Sequence, residues 1–283
     1  MTGPSRLLVI GAGVLAFGAL WQAAARTPFG RAAQWRRTNY RGHEVSLLGG
    51  VVAVVAAAAG CAVAVAGSTG AGRRTALALV VVLVAAGAAG GYDDLRGDSA
   101  ARGRSGHWRA ALRGQLTSGA VKVLVLAVAG LAAAAILLRG ISGRTLADGS
   151  LIAATANLAN LFDLRPGRAA KLRAPGLLAT AVAAGAGAGP LAWCAGVAVG
   201  VLPADVRERV LLGDAGANAL GGALGVGLVV SLAPAGRLAA LGVVVALTLL
   251  SERVSFSRII DAAPPLRWID GLGRVDRDPA LRA

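Results

Sequence analysis

An all-α, polytopic integral membrane protein, with about nine transmembrane helices and a ligand cleft on its cytoplasmic side, is the fold class this sequence predicts. Three observations lead there. Hydrophobic residues make up 56% of the 283 and charged residues only 15%, with a mean hydropathy of +0.66. A soluble domain of this size would need more polar surface. The apolar residues gather into runs of Ala, Val, Leu and Gly, several of them near the roughly 20 residues that cross a bilayer, and in hydrocarbon such a run must be helical to pair its own backbone. The third observation is that the basic residues crowd onto alternate connections between runs.

The first run, 6–25, precedes a basic segment and reads as a retained span, not a cleaved signal peptide. The next two, 45–67 and 75–90, are joined by a short outer turn. Leu48-Gly49-Gly50 opens the second, where glycines admit a neighbouring helix or a ligand close to backbone. The inner connection 93–118 holds Gly106-His107-Trp108-Arg109-Ala110-Ala111-Leu112-Arg113, whose basic and apolar positions suit a short interfacial helix. A fourth run, 119–138, leads to an outer loop at 139–149. The fifth, 150–162, is short and carries Asn157 and Asn160 on one helix face. Amides there have to meet protein or a polar cleft, because lipid leaves them unpaired. Runs six and seven, 175–187 and 190–202, are short and meet at a Gly-rich bend. Runs eight and nine are 215–232 and 238–250. Residues 1–250 thus form the multispan domain and 251–283 a cytoplasmic tail with no further span.

A formal net charge of +15 would suggest nucleic acid in a soluble protein, but here its distribution matters more. Outside the inner connections and the tail remain only Arg6, Arg73, Arg74, Arg139, Arg144 and Arg237. This asymmetry puts the basic side in the cytoplasm, the amino terminus outside and the carboxyl terminus inside, and requires an odd number of crossings. Four Phe and two Tyr make no stacking platform for bases, so nucleic acid is excluded as a partner. Cys61 and Cys194 lie in apolar runs without metal or redox spacing and read as small buried hydrophobes. His43 and His107 lack zinc-ligand spacing.

The chemistry gathers at one membrane edge. Asp93, Asp94, Asp163 and Asp214 each sit at or beside the cytoplasmic end of a run. Converging carboxylates of this kind suit a hard cation such as Mg²⁺, and Mg²⁺ beside basic side chains suits phosphate chemistry. Ordinary interfacial carboxylates paired with arginines are the plainer alternative. Asn157 and Asn160 either bind a phosphate ligand or bond between helices. Lys122, one turn into the fourth run, either snorkels to the interface or reaches the carboxylates. His107 is either a phosphate or head-group contact or a solvated side chain.

The motifs carry a resemblance to the polyprenyl-phosphate N-acetylhexosamine-1-phosphate transferase family, which includes phospho-N-acetylmuramoyl-pentapeptide transferase. Gly91-Tyr92-Asp93-Asp94 resembles the family's double-aspartate loop. Asn157-Leu158-Ala159-Asn160-Leu161-Phe162-Asp163 resembles its Asn-x-x-Asn-x-x-Asp loop for the nucleotide sugar, and Leu212-Gly213-Asp214-Ala215-Gly216-Ala217 resembles the Gly-Asp motif whose aspartate binds metal. Asn39, Arg41 and Gly49-Gly50 resemble the first inner loop and the glycine pair after it. The resemblance implies a multi-pass protein of the bacterial plasma membrane that transfers a sugar 1-phosphate from a UDP-sugar to undecaprenyl or decaprenyl phosphate, releasing UMP, in cell-envelope polymer synthesis. It implies Asp93, Asp94 and Asp214 as catalytic residues and Asp94 and Asp214 as ligands of Mg²⁺, with Mn²⁺ as a substitute. Asn39, Arg41, His107, Lys122, Asn157, Asn160, Asp163 and Arg165 would contact substrate, and a homodimer follows by analogy alone. Four departures mark a divergent branch. Leu164-Arg165-Pro166-Gly167 stands where the family has a second acid, Ala217 replaces a serine, and the late histidine-rich loop and a tenth span are missing. A noncatalytic relative that binds lipid phosphate or scaffolds envelope-synthesis partners is the alternative. A transporter is disfavoured because polar residues collect at one edge, away from the midplane.

Overall fold

The structure, a computed structural model, describes residues 3–96 and 117–274. Among these residues are eleven α-helices and one two-stranded antiparallel hairpin. The long helices are α1 (Gly3–Arg26), α2 (Leu48–Gly67), α3 (Gly70–Arg96), α4 (Ser118–Leu138), α5 (Gly143–Leu161), α6 (Arg168–Ala183), α7 (Ala188–Val206), α8 (Gly213–Ser231) and α9 (Pro234–Arg253). Two short helices follow, α10 (Phe256–Ala262) and α11 (Pro264–Gly271). All the long helices except α5 and α6 are long and apolar enough to cross a membrane, which makes seven. The fold is all-α and of the multi-pass membrane type. Helix α9 leaves Leu238, Val243 and Leu249 exposed, and α1 does the same with Leu7, Leu8 and Leu15. Apolar faces this extensive require hydrocarbon around them.

Helix α8 is the axis of the bundle, packed by α3 and α5 on two sides and by α2 and α6 on others. Its sequence is rich in Gly and Ala, and small residues let helix backbones approach where lipid offers no hydrophobic drive to associate. A Cβ at Gly225 would stand 2.7 Å from Ile152 Cα, and one at Gly221 would collide with Ala159. These pairings run α5 and α8 antiparallel and set the carboxyl end of α5 level with the amino end of α8. Helix α1 packs along α7 and α2 at the edge of the bundle.

Several element ends differ from the sequence expectation, those of α5 and α6 for local reasons. Helix α5 begins at Gly143, so the outer loop is only a few residues long: Ser142 Oγ accepts from the Thr145 amide while Thr145 Oγ1 accepts from the Ser142 amide. This reciprocal cap starts the helix about two turns early. Helix α6 begins at Arg168, after Gly167 turns the chain at φ +74°, and it contains Pro175 where a helix start had been expected. Helix α7 runs on to Val206 and α3 to Arg96. The segment expected as an interfacial helix, 106–113, lies outside the described residues.

The tail folds back onto the bundle. Phe256 stacks on Phe162 with ring centroids 4.6 Å apart. Arg168 forks onto Asp270 through Nε and Nη2 at 2.8 and 3.0 Å, and Arg165 forks onto Asp261 at 2.7 and 2.6 Å. At seven and eight residues, α10 and α11 are too short to cross a bilayer.

Because α5 and α8 touch backbone to backbone at Gly225, Gly225→Val forces them apart. Overpacking of this kind costs about 1–3 kcal/mol. Thermal unfolding of the detergent-purified protein should show it as a lowered midpoint, whereas the same change at Gly242, which faces open space, should leave the midpoint near that of the parent.

Candidate functional site

The site grows from one junction, where the carboxyl end of α3 meets the amino end of α8. The first amides of any helix lack intrahelical partners. Here the Asp214 and Ala215 amides each donate to one oxygen of Asp94, at 3.0 Å, so a side chain from α3 caps α8. Two glycines make the approach possible. A Cβ on Gly90 would fall onto the Asp214 carbonyl, and Gly213 turns into the helix at φ +58°, a conformation glycine adopts without strain. The connection before α8 is held by the hairpin: Leu211 N–H donates to Ser46 O at 2.9 Å. On its other side, Arg37 Nη2 donates to the Asp94 carbonyl at 2.6 Å.

This junction puts Asp93 and Asp214 on either side of one cation. Lys122, projecting from the first turns of α4, donates from Nζ to Asp93 Oδ2 at 2.6 Å and also to Asp214 Oδ2. The three side chains are 10%, 17% and 25% exposed for Lys122, Asp93 and Asp214, so the cluster is sheltered yet reachable. One turn further along α8, Asn218 donates from Nδ2 to the Asp214 carbonyl at 2.6 Å. Its Oδ1 is buried without a partner among the described residues.

Other expected site residues fall in two groups. Asn157 and Asn160 sit half-buried at the carboxyl end of α5, level with the start of α8, and neither side chain has a hydrogen-bond partner among the described residues. Asp163, in the turn after α5, is buried and pairs with the buried Arg173 at 3.4 Å. Asn39 and Arg41 belong instead to the hairpin loop. Asn39 Oδ1 accepts from the Arg41 and His43 amides and its Nδ2 donates to Glu208. Arg41 Nη1 lies 3.4 Å from Glu208 Oε1. Arg165 reaches Asp261, and its guanidinium stands 5.5 Å from the Tyr40 ring. His107 is outside the described residues.

Two buried acids carry more of this region than sequence reasoning assigned them. Glu208, at φ +56°, accepts from Asn39 and meets His43 Nδ1 at 2.6 Å, pinning the hairpin loop to the α7–α8 connection. Burial opposes its charge, but the hydrogen bonds from His43 and Asn39 and the nearby Arg41 hold its carboxyl below the usual range. Asp205 adds its charge to the field around Arg173. In that cluster Asp163 Oδ2, Asp205 Oδ2 and Arg173 Nη1 are all buried without hydrogen-bond partners among the described residues. The only sequence signal for either group was an acid close to a run end.

Among the described residues, no three His, Cys, Asp or Glu side chains form a ready metal cage. The donor set nonetheless fits a divalent cation of the Mg²⁺ type, which takes one or two carboxylates and fills its remaining positions with water or phosphate oxygens. Among the described residues, Asp93 and Asp214 share a single ammonium, so the ionised pair outnumbers the cation between them. Asp94, expected beside Asp214 as a metal ligand, has both oxygens engaged by the amides that start α8, so Asp93 in its place, with Asp214, would hold the ion. No protein-family model matches the chain, and no curated protein matches it at a significant level.

Burial is the main reason the Asp163 carboxyl is pushed up to about 7, with Asp205 and Asp214 adding to the rise and Arg173 opposing it. A carboxyl that binds its proton more tightly when folded stabilises the protein below its unfolded pKa, near 4. That contribution is lost as pH climbs through about 7. The unfolding midpoint of the parent should therefore fall between about pH 4 and 7 by more than that of Asp163→Asn, measured side by side by thermal denaturation in detergent.

Proposed function

We propose that this chain is a membrane transferase that moves a sugar 1-phosphate from a UDP-sugar to a polyprenyl phosphate and releases UMP. The observation that carries the reading is the convergence of Asp93, Asp94 and Asp214 from two helices onto Lys122 at one end of an apolar bundle. Around that end lie the open amides of Asn157 and Asn160. Phosphate chemistry asks for this combination of oxygen donors, a cation and neutral hydrogen-bond donors. In this reading the nine long helices are nine crossings of a bacterial plasma membrane, with the acidic end and a ligand cleft at the cytoplasm. The positive-inside distribution supports that orientation.

Each group then has a task. The lipid tail lies among the helices and its phosphate enters the acidic end. An oxygen of that phosphate attacks the sugar-proximal phosphorus of the donor. A new P–O bond forms, the pyrophosphate P–O bond breaks, and UMP leaves with the electron pair. Asn157 and Asn160 orient the donor through their amides, and Asp94 keeps Asp214 in place by capping α8. A divalent cation bound at Asp93 and Asp214 supplies charge neutralisation on the pyrophosphate oxygens. Envelope-polymer synthesis is the setting that the substrate class suggests.

A second reading has one observation in its favour. Lys122 already occupies the space between Asp93 and Asp214, as it would in a noncatalytic relative that binds a lipid phosphate or gathers envelope-synthesis partners. Purified protein supplied with polyprenyl phosphate, Mg²⁺ and a panel of UDP-sugars separates the two. The transferase yields UMP in step with a lipid-linked sugar phosphate, and Asp214→Ala lowers that yield by at least about a hundredfold, in line with the loss of an electrostatic group at a reacting centre. Transfer undiminished in Asp214→Ala would remove the assignment of Asp214, and no UMP from any donor would leave the binding reading standing.

A further inference from the structure

The chain contains twenty-seven arginines and only two lysines, Lys122 and Lys171. One of the two stands at the only position where a cation bridges Asp93 and Asp214 among the described residues. We propose that Lys122 is the resident counter-cation of this carboxylate pair, holding it in the absence of a divalent ion and exchanging with that ion when it arrives. The inference deepens the transferase reading and takes from it the identity of the incoming ion.

Geometry and chemistry both favour exchange over permanent pairing. The ammonium contacts Asp93 Oδ2 and Asp214 Oδ2 together, the two groups a divalent ion would bridge. Two cations cannot share so small a space without strong repulsion, so binding of one expels the other. Lysine suits a cation that must leave. It is a compact charge on a flexible four-carbon stem, whereas arginine presents a rigid fork that fits a carboxylate on two points. Lys122 lies near the amino end of α4, so its stem can swing past the helix end towards water or towards a phosphate. The removal of the ammonium would otherwise leave the carboxylates uncompensated, which ties its release to the arrival of another cation. Asn218, one turn along α8, donates to the Asp214 carbonyl and keeps its Oδ1 buried without a partner among the described residues.

The test uses the full-length protein and needs no change at Lys122. In detergent, limiting acetic anhydride is added across a Mg²⁺ titration, and acetylation of the two lysines is quantified by mass spectrometry. Lys171 serves as the internal reference, since its Nζ donates to the Ile269 and Asp270 carbonyls at 3.1 and 2.6 Å, away from the cluster. Acetylation of Lys122 relative to Lys171 should rise severalfold and saturate with Mg²⁺, and should not respond to NaCl at matched ionic strength. A ratio indifferent to Mg²⁺, or equally responsive to NaCl, overturns the proposal. As a second measurement, Mn²⁺ binding by electron paramagnetic resonance should be about 10 to 100 times tighter in Lys122→Met than in the parent, the range expected for a group that tunes a metal site. Equal affinities would overturn it too. A protein that passes both measurements and releases no UMP keeps the exchange and loses the transferase. A working transferase that fails them keeps its activity and loses the exchange.

Discussion

The capping of α8 by Asp94 is the contact on which the acidic end depends. A helix that starts inside a bundle has amides that water cannot reach, and each one left unpaired costs about 1–3 kcal/mol. Asp94 takes two of them. The demand is met from another helix, so capping doubles as assembly: α3 has to end where α8 begins. Asp93, the neighbour of Asp94, is thereby delivered to Asp214, the first acid of α8. Gly90 removes the side chain that would hold the two backbones apart.

The same logic extends outward by electrostatics. Arg37 reaches the carbonyl of Asp94 at the carboxyl end of α3, where the helix dipole favours a cation. The hairpin that carries Arg37 is fixed to the α7–α8 connection through Glu208 and through the backbone bond from Leu211 to Ser46. On the opposite flank, Arg168 and Arg274 close on Asp270 at 2.8 and 2.9 Å, fastening the short terminal helices to the turn between α5 and α6. That turn also contains Asp163, so the tail buttresses the segment beside the acidic cluster. Both flanks use arginine, whose planar fork makes fixed pairs.

Much of this was legible in the residues alone. Apolar runs reveal helices because lipid-facing and core-facing surfaces are both apolar in a membrane protein, and the acids at the run ends of α3 and α8 were conspicuous against them. What escaped was pairing across the chain. Glu208 meets Asn39 and His43 across more than 160 positions, and nothing local in Arg207-Glu208-Arg209 distinguishes a buried acid from a solvated one. Arg173 looked like one more inner-surface arginine, yet it is almost wholly buried and paired with Asp163. The start of α5 was misplaced because hydropathy registers where a helix becomes apolar, whereas Ser142 and Thr145 determine where it begins. The Lys122 contact was half visible: its place one turn into a run allowed both snorkelling and a reach to the acids, and only the packing of α4 on α3 decides between them.

The two ends of the bundle differ in a way that bears on function. At the end where α5 and α9 begin, the buried Asp148 meets Arg237 at 2.7 Å, one acid to one base, and nothing further is required for neutrality. At the end where α3 meets α8, among the described residues, two acids, Asp93 and Asp214, share one ammonium. An imbalance of that kind in a sheltered place works against folding, because a charge withdrawn from water and left without a partner is expensive. Structural ion pairs tend towards the first arrangement, and sites that receive a charged ligand towards the second. Among the described residues, arginines on this side of the bundle have other partners: Arg37 a carbonyl, Arg41 Glu208 and Arg165 Asp261.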